Sequence, residues 1–126
     1  MWEKAVFEIR DELIKIRENL HRIPELCFCE EKTSAFIRNY LDQLGISYQT
    51  MAKTGVAAVI DTGKPGKTIL LRADIDGLPI AEENGLPFRS GHSGCMHACG
   101  HDVHTACLLG AAKILNQYKD QLCGTV

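Results

Sequence analysis

The stretch MHACGHDVHTA, residues 96–106, carries three of the chain's five histidines and one of its six cysteines. Thiolate and imidazole are the side chains that zinc and its neighbours bind well, at about 2.3 Å and about 2.0–2.1 Å. Cys99 and His101 are two residues apart, so in extended backbone both side chains face one cation. His104 lies three residues past His101, where a helical turn brings it near, and His97 lies two before Cys99. Three kinds of chemistry fit these residues. One is a metal site, including a structural Cys2His2 set of Cys95, Cys99, His101 and His104, although no long spacer divides the pairs as in a zinc finger. A second is a redox or nucleophilic thiol, although Cys95 and Cys99 do not form a C-x-x-C pair. The third is a polar loop that binds nothing. Residue types and spacing alone leave all three open.

A second group lies upstream, in LRADIDGLPI at residues 71–80. Asp74 and Asp76 are also two apart, so on a strand they point the same way. Two carboxylates on one side repel unless a cation or an imidazolium lies between them; the plainer reading is a pair of loop-capping aspartates. GKPGKT at 63–68 resembles the tail of a phosphate-binding loop, but Asp61 stands where the first glycine belongs and a strand, not a helix, is expected to follow.

These residues need elements to hold them. Trp2, Val6, Ile9, Leu13, Ile16 and Leu20 are spaced alternately four and three, which predicts one amphipathic helix ended by Pro24. Phe36, Ile37, Tyr40, Leu41 and Leu44 predict a second helix over 31–44, stopped by Gly45. ISYQTM, GVAAVID and KTILLRAD have strand character. TGKPGK reads as a turn joining the last two as neighbours, and the unbroken ILL predicts a strand buried on both faces. Residues 75–101 read as a long functional loop. DVHTACLLGAAKILNQYKDQL reads as a helix with Asp102 as its N-cap and Gly124 at its close, and GTV as the start of another strand. This order suits an α/β fold, with the loop at a strand's C-terminal end, where open α/β sheets hold ligands.

Composition narrows the function classes. The chain has 126 residues, 45% hydrophobic and 24% charged, with a formal net charge of −2, as in an ordinary globular domain. No Lys/Arg cluster suggests nucleic-acid binding. No apolar run approaches the roughly 20 residues of a membrane span. The charged N-terminal stretch does not read as a secretory signal, which favours the cytoplasm and reduced thiols. Cys27, Cys107 and Cys123 read as small core or surface residues, and Cys29 and Cys95 have no evident place.

Taken together, LHRIPEL, LLRADIDGLPI and MHACGHDVHTA, in that order and spacing, resemble the metal-dependent amidohydrolase family. This family comprises hippurate hydrolases, N-acyl-amino-acid amidohydrolases and auxin-conjugate hydrolases, relatives of aminoacylase and the zinc carboxypeptidases. The resemblance runs from about residue 10 to residue 126. It implies a site for two divalent ions (manganese, zinc, cobalt or nickel), with Cys99 as a bridging thiolate and His101 as an imidazole ligand. It implies a role for Asp76 in orienting a ligand, leaves Asp74 uncertain, makes Asp102 and His104 supporting residues, and leaves His21 and Pro24 structural. It further implies that residues 1–126 form the N-terminal part of a three-layer α/β catalytic domain. The general-base carboxylate, the other ligands and a lid or dimerisation domain would lie downstream, and full-length relatives would be homodimers. The implied reaction is hydrolysis of an N-acyl amino acid by metal-activated water, with little or no activity from this portion alone. A non-catalytic zinc-binding or interaction module is the alternative.

Overall fold

A computed structural model describes residues 2–126. Four α-helices, α1 (Trp2–Glu8), α2 (Arg10–His21), α3 (Glu31–Gln43) and α4 (His101–Gln117), accompany an antiparallel pair of strands, β1 (Ser47–Met51) and β2 (Gly55–Val59). The α/β class expected from the element order is the class observed. No described helix is long and apolar enough to cross a membrane.

The first apolar stripe is split between two helices. The backbone turns at Ile9 (φ −97°, ψ 4°). That turn lets Ala5 and Ile9 bury against Ile114 of α4, while Trp2 and Val6 stay exposed. From Ile9 onward the predicted face holds: Ile16 and Leu20 join Ile37, Tyr40 and Leu41 of α3 and Ala106 and Leu109 of α4 in the main core. Burial of a large aliphatic side chain such as Leu20, 1% exposed, contributes about 1.5–3 kcal/mol. Glu12 joins three helices at the rim of this core, accepting from the Tyr40 hydroxyl at 2.7 Å and pairing with Lys113.

The second helix matches its predicted bounds, and Gly45 follows it in a left-handed conformation. Its N-terminal N–H groups are satisfied from a distance. The Glu25 carboxylate accepts from the backbone of Lys32 (3.0 Å) and Thr33 (2.7 Å), doing the work of an N-cap. Glu30, just before the helix, is buried and accepts from the Thr54 hydroxyl at 2.5 Å, which seats the β1–β2 hairpin.

Three expectations for the sheet and the last helix are corrected. TGKPGK does not join neighbouring strands, because Thr125 lies between them. It bridges Asp61 in antiparallel sense on one side and Thr68 in parallel sense on the other. GTV therefore is the strand-like segment that the sequence suggests, but it occupies the centre of the pairing. KTILLRAD forms no regular strand, and Ile69, Leu70 and Leu71 are 56%, 88% and 45% exposed. A strand buried on both faces needs a ladder partner and covering layers; here its bonding to the sheet is confined to residues 67–69 against Thr125. The last helix ends at Gln117 and is followed by a single 3-10 turn, Lys119–Gln121, so Gly124 belongs to the sheet and does not cap the helix.

The central segment is packed backbone to backbone. A Cβ on Gly124 (φ 87°) would lie 2.2 Å from the Lys67 carbonyl oxygen, and one on Gly66 would lie 2.5 Å from the Gly124 nitrogen. Neither obstacle is a side chain that can swing aside. Gly124→Ala is expected to cost at least about 2 kcal/mol, from left-handed strain and overpacking together. Urea denaturation measures it, and an unchanged midpoint would refute the account.

Candidate metal centre

The loop 75–100 and the first turn of α4 bring Asp76 to His101 and Asp74 to His104. The loop has the irregular backbone expected of it; its one bridge pairs Leu78 with Met96. Gly100, left-handed at φ 80°, is the N-cap of α4, and His101 is the first helical residue. Cys99 and His101 are therefore related by a turn entering a helix, not by the extended backbone their spacing suggested. Glycine is favoured here by the left-handed φ alone, for nothing crowds an added Cβ. Cys99 is exposed and its thiol is free; His101 is half-buried.

Asp76 fixes the His101 ring. Nδ1 of His101 lies 2.9 Å from Asp76 Oδ1 and 3.0 Å from the Asp76 carbonyl. Both partners are acceptors, so Nδ1 carries the proton and donates, and the Nε2 lone pair is left to bind a cation. A carboxylate or carbonyl behind a histidine is the arrangement that orients imidazole toward metals and raises its basicity. Asp74 faces the same helical turn differently. Its carboxylate pairs with Arg72 and lies 4.0 Å from His104 Nδ1, and its backbone N–H points to that nitrogen at 3.3 Å. The Arg72 hydrogen bond, followed by the positive charge of the neighbouring groups, holds the Asp74 carboxyl below its ordinary range. The Thr105 hydroxyl donates to the Asp74 carbonyl at 3.0 Å, tying segment 74–76 to α4. The two aspartates thus do face one side, from an irregular segment in place of a strand.

Among the described residues, no three His, Cys, Asp or Glu side chains are grouped to hold one ion. The His101 and His104 ring centroids are 6.3 Å apart, and His104 is exposed. Cys95 is buried, with its Sγ 3.2 Å from where a Cβ on Gly77 would sit, so it packs the loop. The Cys2His2 set is not assembled. The Cys99 thiol is free and exposed, and His101 engages Asp76 through Nδ1 alone.

Asp102 departs most from its expected part. It does not cap α4; its side chain is 1% exposed and turned inward. Oδ2 accepts from Arg17 Nε at 2.8 Å and lies 2.7 Å from His21 Nδ1. The other nitrogen of His21 lies 2.7 Å from Glu82 Oε1, and Glu82 also accepts from the Ser90 N–H and, at 2.9 Å, from Asn84. Phe88 closes the cluster, with the Arg17 guanidinium 4.7 Å over its ring and His21 edge-on at 5.5 Å. His97 packs near His21, with ring centroids 6.3 Å apart, and is buried at 5% exposure. Burial is the main cause that pushes its pKa down, so it is held neutral.

The segment after α2 is the seat of the loop. The carbonyls of Arg22, Pro24 and Glu25 bond to Gly91 N (2.9 Å), His92 Nδ1 (2.6 Å) and Gly77 N (2.7 Å). Pro24 thus helps seat the loop, and His21 links it to α4 through Glu82 and Asp102. Arg17 and Glu82 were missed. Their partners lie 61 to 85 residues apart in sequence, and no local pattern signals such pairing.

Glu82 gives a pH test. Burial raises its pKa, but the His21 hydrogen bond, the Ser90 N–H and Asn84 outweigh that and bring it from 4.5 to about 2. A folded-state pKa below the unfolded value stabilises above the unfolded pKa. The contribution is therefore complete above about pH 4.5 and lost as pH falls toward 2. The melting-temperature gap between the wild type and Glu82→Gln is expected to be widest near neutral pH and to shrink below pH 4.5; a gap that widens with acid contradicts it.

Comparison with known proteins places the fold. The family model of peptidase family M20/M25/M40 matches residues 70–126. The chain is 51% identical over 119 residues to the N-acetyl-L-cysteine deacetylase of Bacillus subtilis, covering 94% of this chain and 29% of that protein. It is 44% identical over 125 residues to the N-acyl-L-amino acid amidohydrolase of Geobacillus stearothermophilus, covering 98% and 34%. Among solved structures, a dinuclear-metal-binding M20-family peptidase from Bacillus subtilis superposes with a TM-score of 0.90 at 46% identity, covering 94% of this chain and 34% of that one. The chain spans about a third of the length of the relatives it matches. Its fold is that of the corresponding portion of this hydrolase structure, and residues 70–126 carry the match to peptidase family M20/M25/M40.

Proposed function

We propose that the protein to which this chain belongs hydrolyses the amide bond of small N-acyl amino acids, hippurate-like conjugates among them, at a site for two divalent ions. Cys99 and His101 supply ligands, and residues 1–126 are the N-terminal part of the catalytic domain. The observation that carries the reading is the His101–Asp76 contact of 2.9 Å, which leaves Nε2 of His101 free for a cation, two residues from the exposed, free Cys99. Manganese, zinc, cobalt or nickel all suit thiolate with imidazole. Ions bound there supply hydroxide near neutral pH and stabilise the oxyanion.

The chain's own residues have defined parts. Asp76 holds the Nδ1 proton and fixes the plane of the His101 ring. Gly100 sets the angle between the two ligands. Segment 74–76, bonded to Thr105 and His104, keeps Asp76 in register with the start of α4. Two ligands alone fall short of the usual four, and a general-base carboxylate must also reach the water. Hydrolysis is therefore expected of a chain that adds those groups, and residues 1–126 by themselves are expected to be nearly inert.

The test is hydrolysis of hippurate and N-acetyl amino acids by the full-length protein, before and after chelation, with each of the four metals added back. Activity lost with chelator and restored by metal supports the reading. A protein that binds metal and cleaves no acyl amino acid is a metal-binding module instead; activity indifferent to chelator points to thiol chemistry.

A further inference from the structure

We propose that His21 is a positioning residue for the Cys99–His101 half-site, acting as a clamp between α4 and the loop that carries Asp76. This rests on the metal reading above and extends it to residues outside the metal's reach.

Both ring nitrogens of His21 face carboxylate oxygens at 2.7 Å, Asp102 on one side and Glu82 on the other. Each carboxylate only accepts, so each nitrogen donates. Arg17 adds a cation on Asp102 at 2.8 Å. Three parts of the chain meet in it: Arg17 and His21 from α2, Asp102 from the first turn of α4, and Glu82 from the loop. Asp102 is bonded directly to His101 in the chain, so fixing its side chain fixes the turn that aims the ligand. Glu82 lies six residues past Asp76, with Gly77 between them already bonded to Glu25.

Net stability is a poor reason for such a cluster. A buried ion network often contributes no more than apolar side chains of the same volume, and its best-attested use is to fix one arrangement over others. α2 has a rigid seat, since Ile16 and Leu20 lie in the main core. It therefore provides the frame against which ligand and orienting carboxylate are both located. Removing His21 leaves only the local contacts of Asp74 and Asp76 with α4 to hold the two in register, which degrades metal binding without touching a ligand.

The test uses the full-length apo protein titrated with cobalt(II), followed by the thiolate-to-cobalt charge-transfer band that Cys99 would give. Expected is a wild-type band, and for His21→Gln an affinity lower by about 10–100-fold, the range for losing an outer-sphere partner of a metal ligand. Ile16→Val, which loosens the same helix without entering the cluster, is expected to keep wild-type affinity. Equal cobalt affinity in wild type and His21→Gln overturns the clamp and leaves the metal reading intact. Equal weakening by Ile16→Val also overturns it, because general softening then explains the loss. Absence of the thiolate band in the wild type overturns the metal reading and the clamp with it. Should His21→Gln fail to fold, Glu82→Gln cuts only the loop arm, and an unchanged affinity there overturns the proposal.

Discussion

Alanine at His101 is expected to strip the full-length protein of tightly held divalent metal and, with it, of hydrolytic activity. The argument is one of ordering. Asp76 touches only Nδ1 of that ring, 2.9 Å away, and losing such a partner typically weakens a site about 10–100-fold. Losing the ligand must cost more than losing its orienting group. Asp76→Ala is thus expected to retain weakened, saturable binding, His101→Ala to retain none in the same concentration range, and Cys99→Ala to resemble His101→Ala. Calorimetric titration of the apo variants checks the series. Wild-type affinity in His101→Ala would remove this residue from the site, and an Asp76→Ala defect as deep as that of His101→Ala would mean that Asp76 is itself a ligand.

Asp102→Ala is expected to lose about 3–5 kcal/mol of folding stability, the usual result of removing one partner from a buried ion pair. The side chain is 1% exposed, and its loss leaves Arg17 and His21 both facing the gap. Asp102→Asn keeps the shape and one acceptor oxygen but not the charge, so it should cost less than alanine and still be measurable. Denaturant unfolding of the three proteins gives the values. A loss below about 1 kcal/mol for alanine would place Asp102 in a solvated setting, contrary to its burial.

Much of the helical framework was legible because amphipathic periodicity is a local signal. The α3 stripe and its glycine stop needed only a few consecutive turns to read. Ile9 was not legible as a break: its spacing continues the stripe, and only the position of Ile114 on α4 decides that the chain turns there. The sheet misled for a related reason. Apolar runs such as ILL announce a buried strand, but burial is settled by what lies on either side, and the pairing of Thr125 with both Asp61 and Thr68 is invisible to a window of ten residues. Cys99, His101 and Asp76 stood out because metal chemistry uses few residue types. Asp102 carried a signal that pointed elsewhere, since an acid in a first helical turn normally serves the helix end. Its inward turn depends on Arg17 and His21, more than eighty positions upstream.

The late arrival of Thr125 has a consequence for synthesis on the ribosome. Segment 60–62 leaves the exit tunnel long before its hydrogen-bonding companion, and so does the apolar run at 69–71. At translation rates of about 5–20 residues per second the nascent chain spends several seconds with both edges unpaired. For that interval α1, α2 and α3 can form, but the backbone groups of residues 60–62 and 67–69 wait at the tunnel mouth without their hydrogen-bond partners.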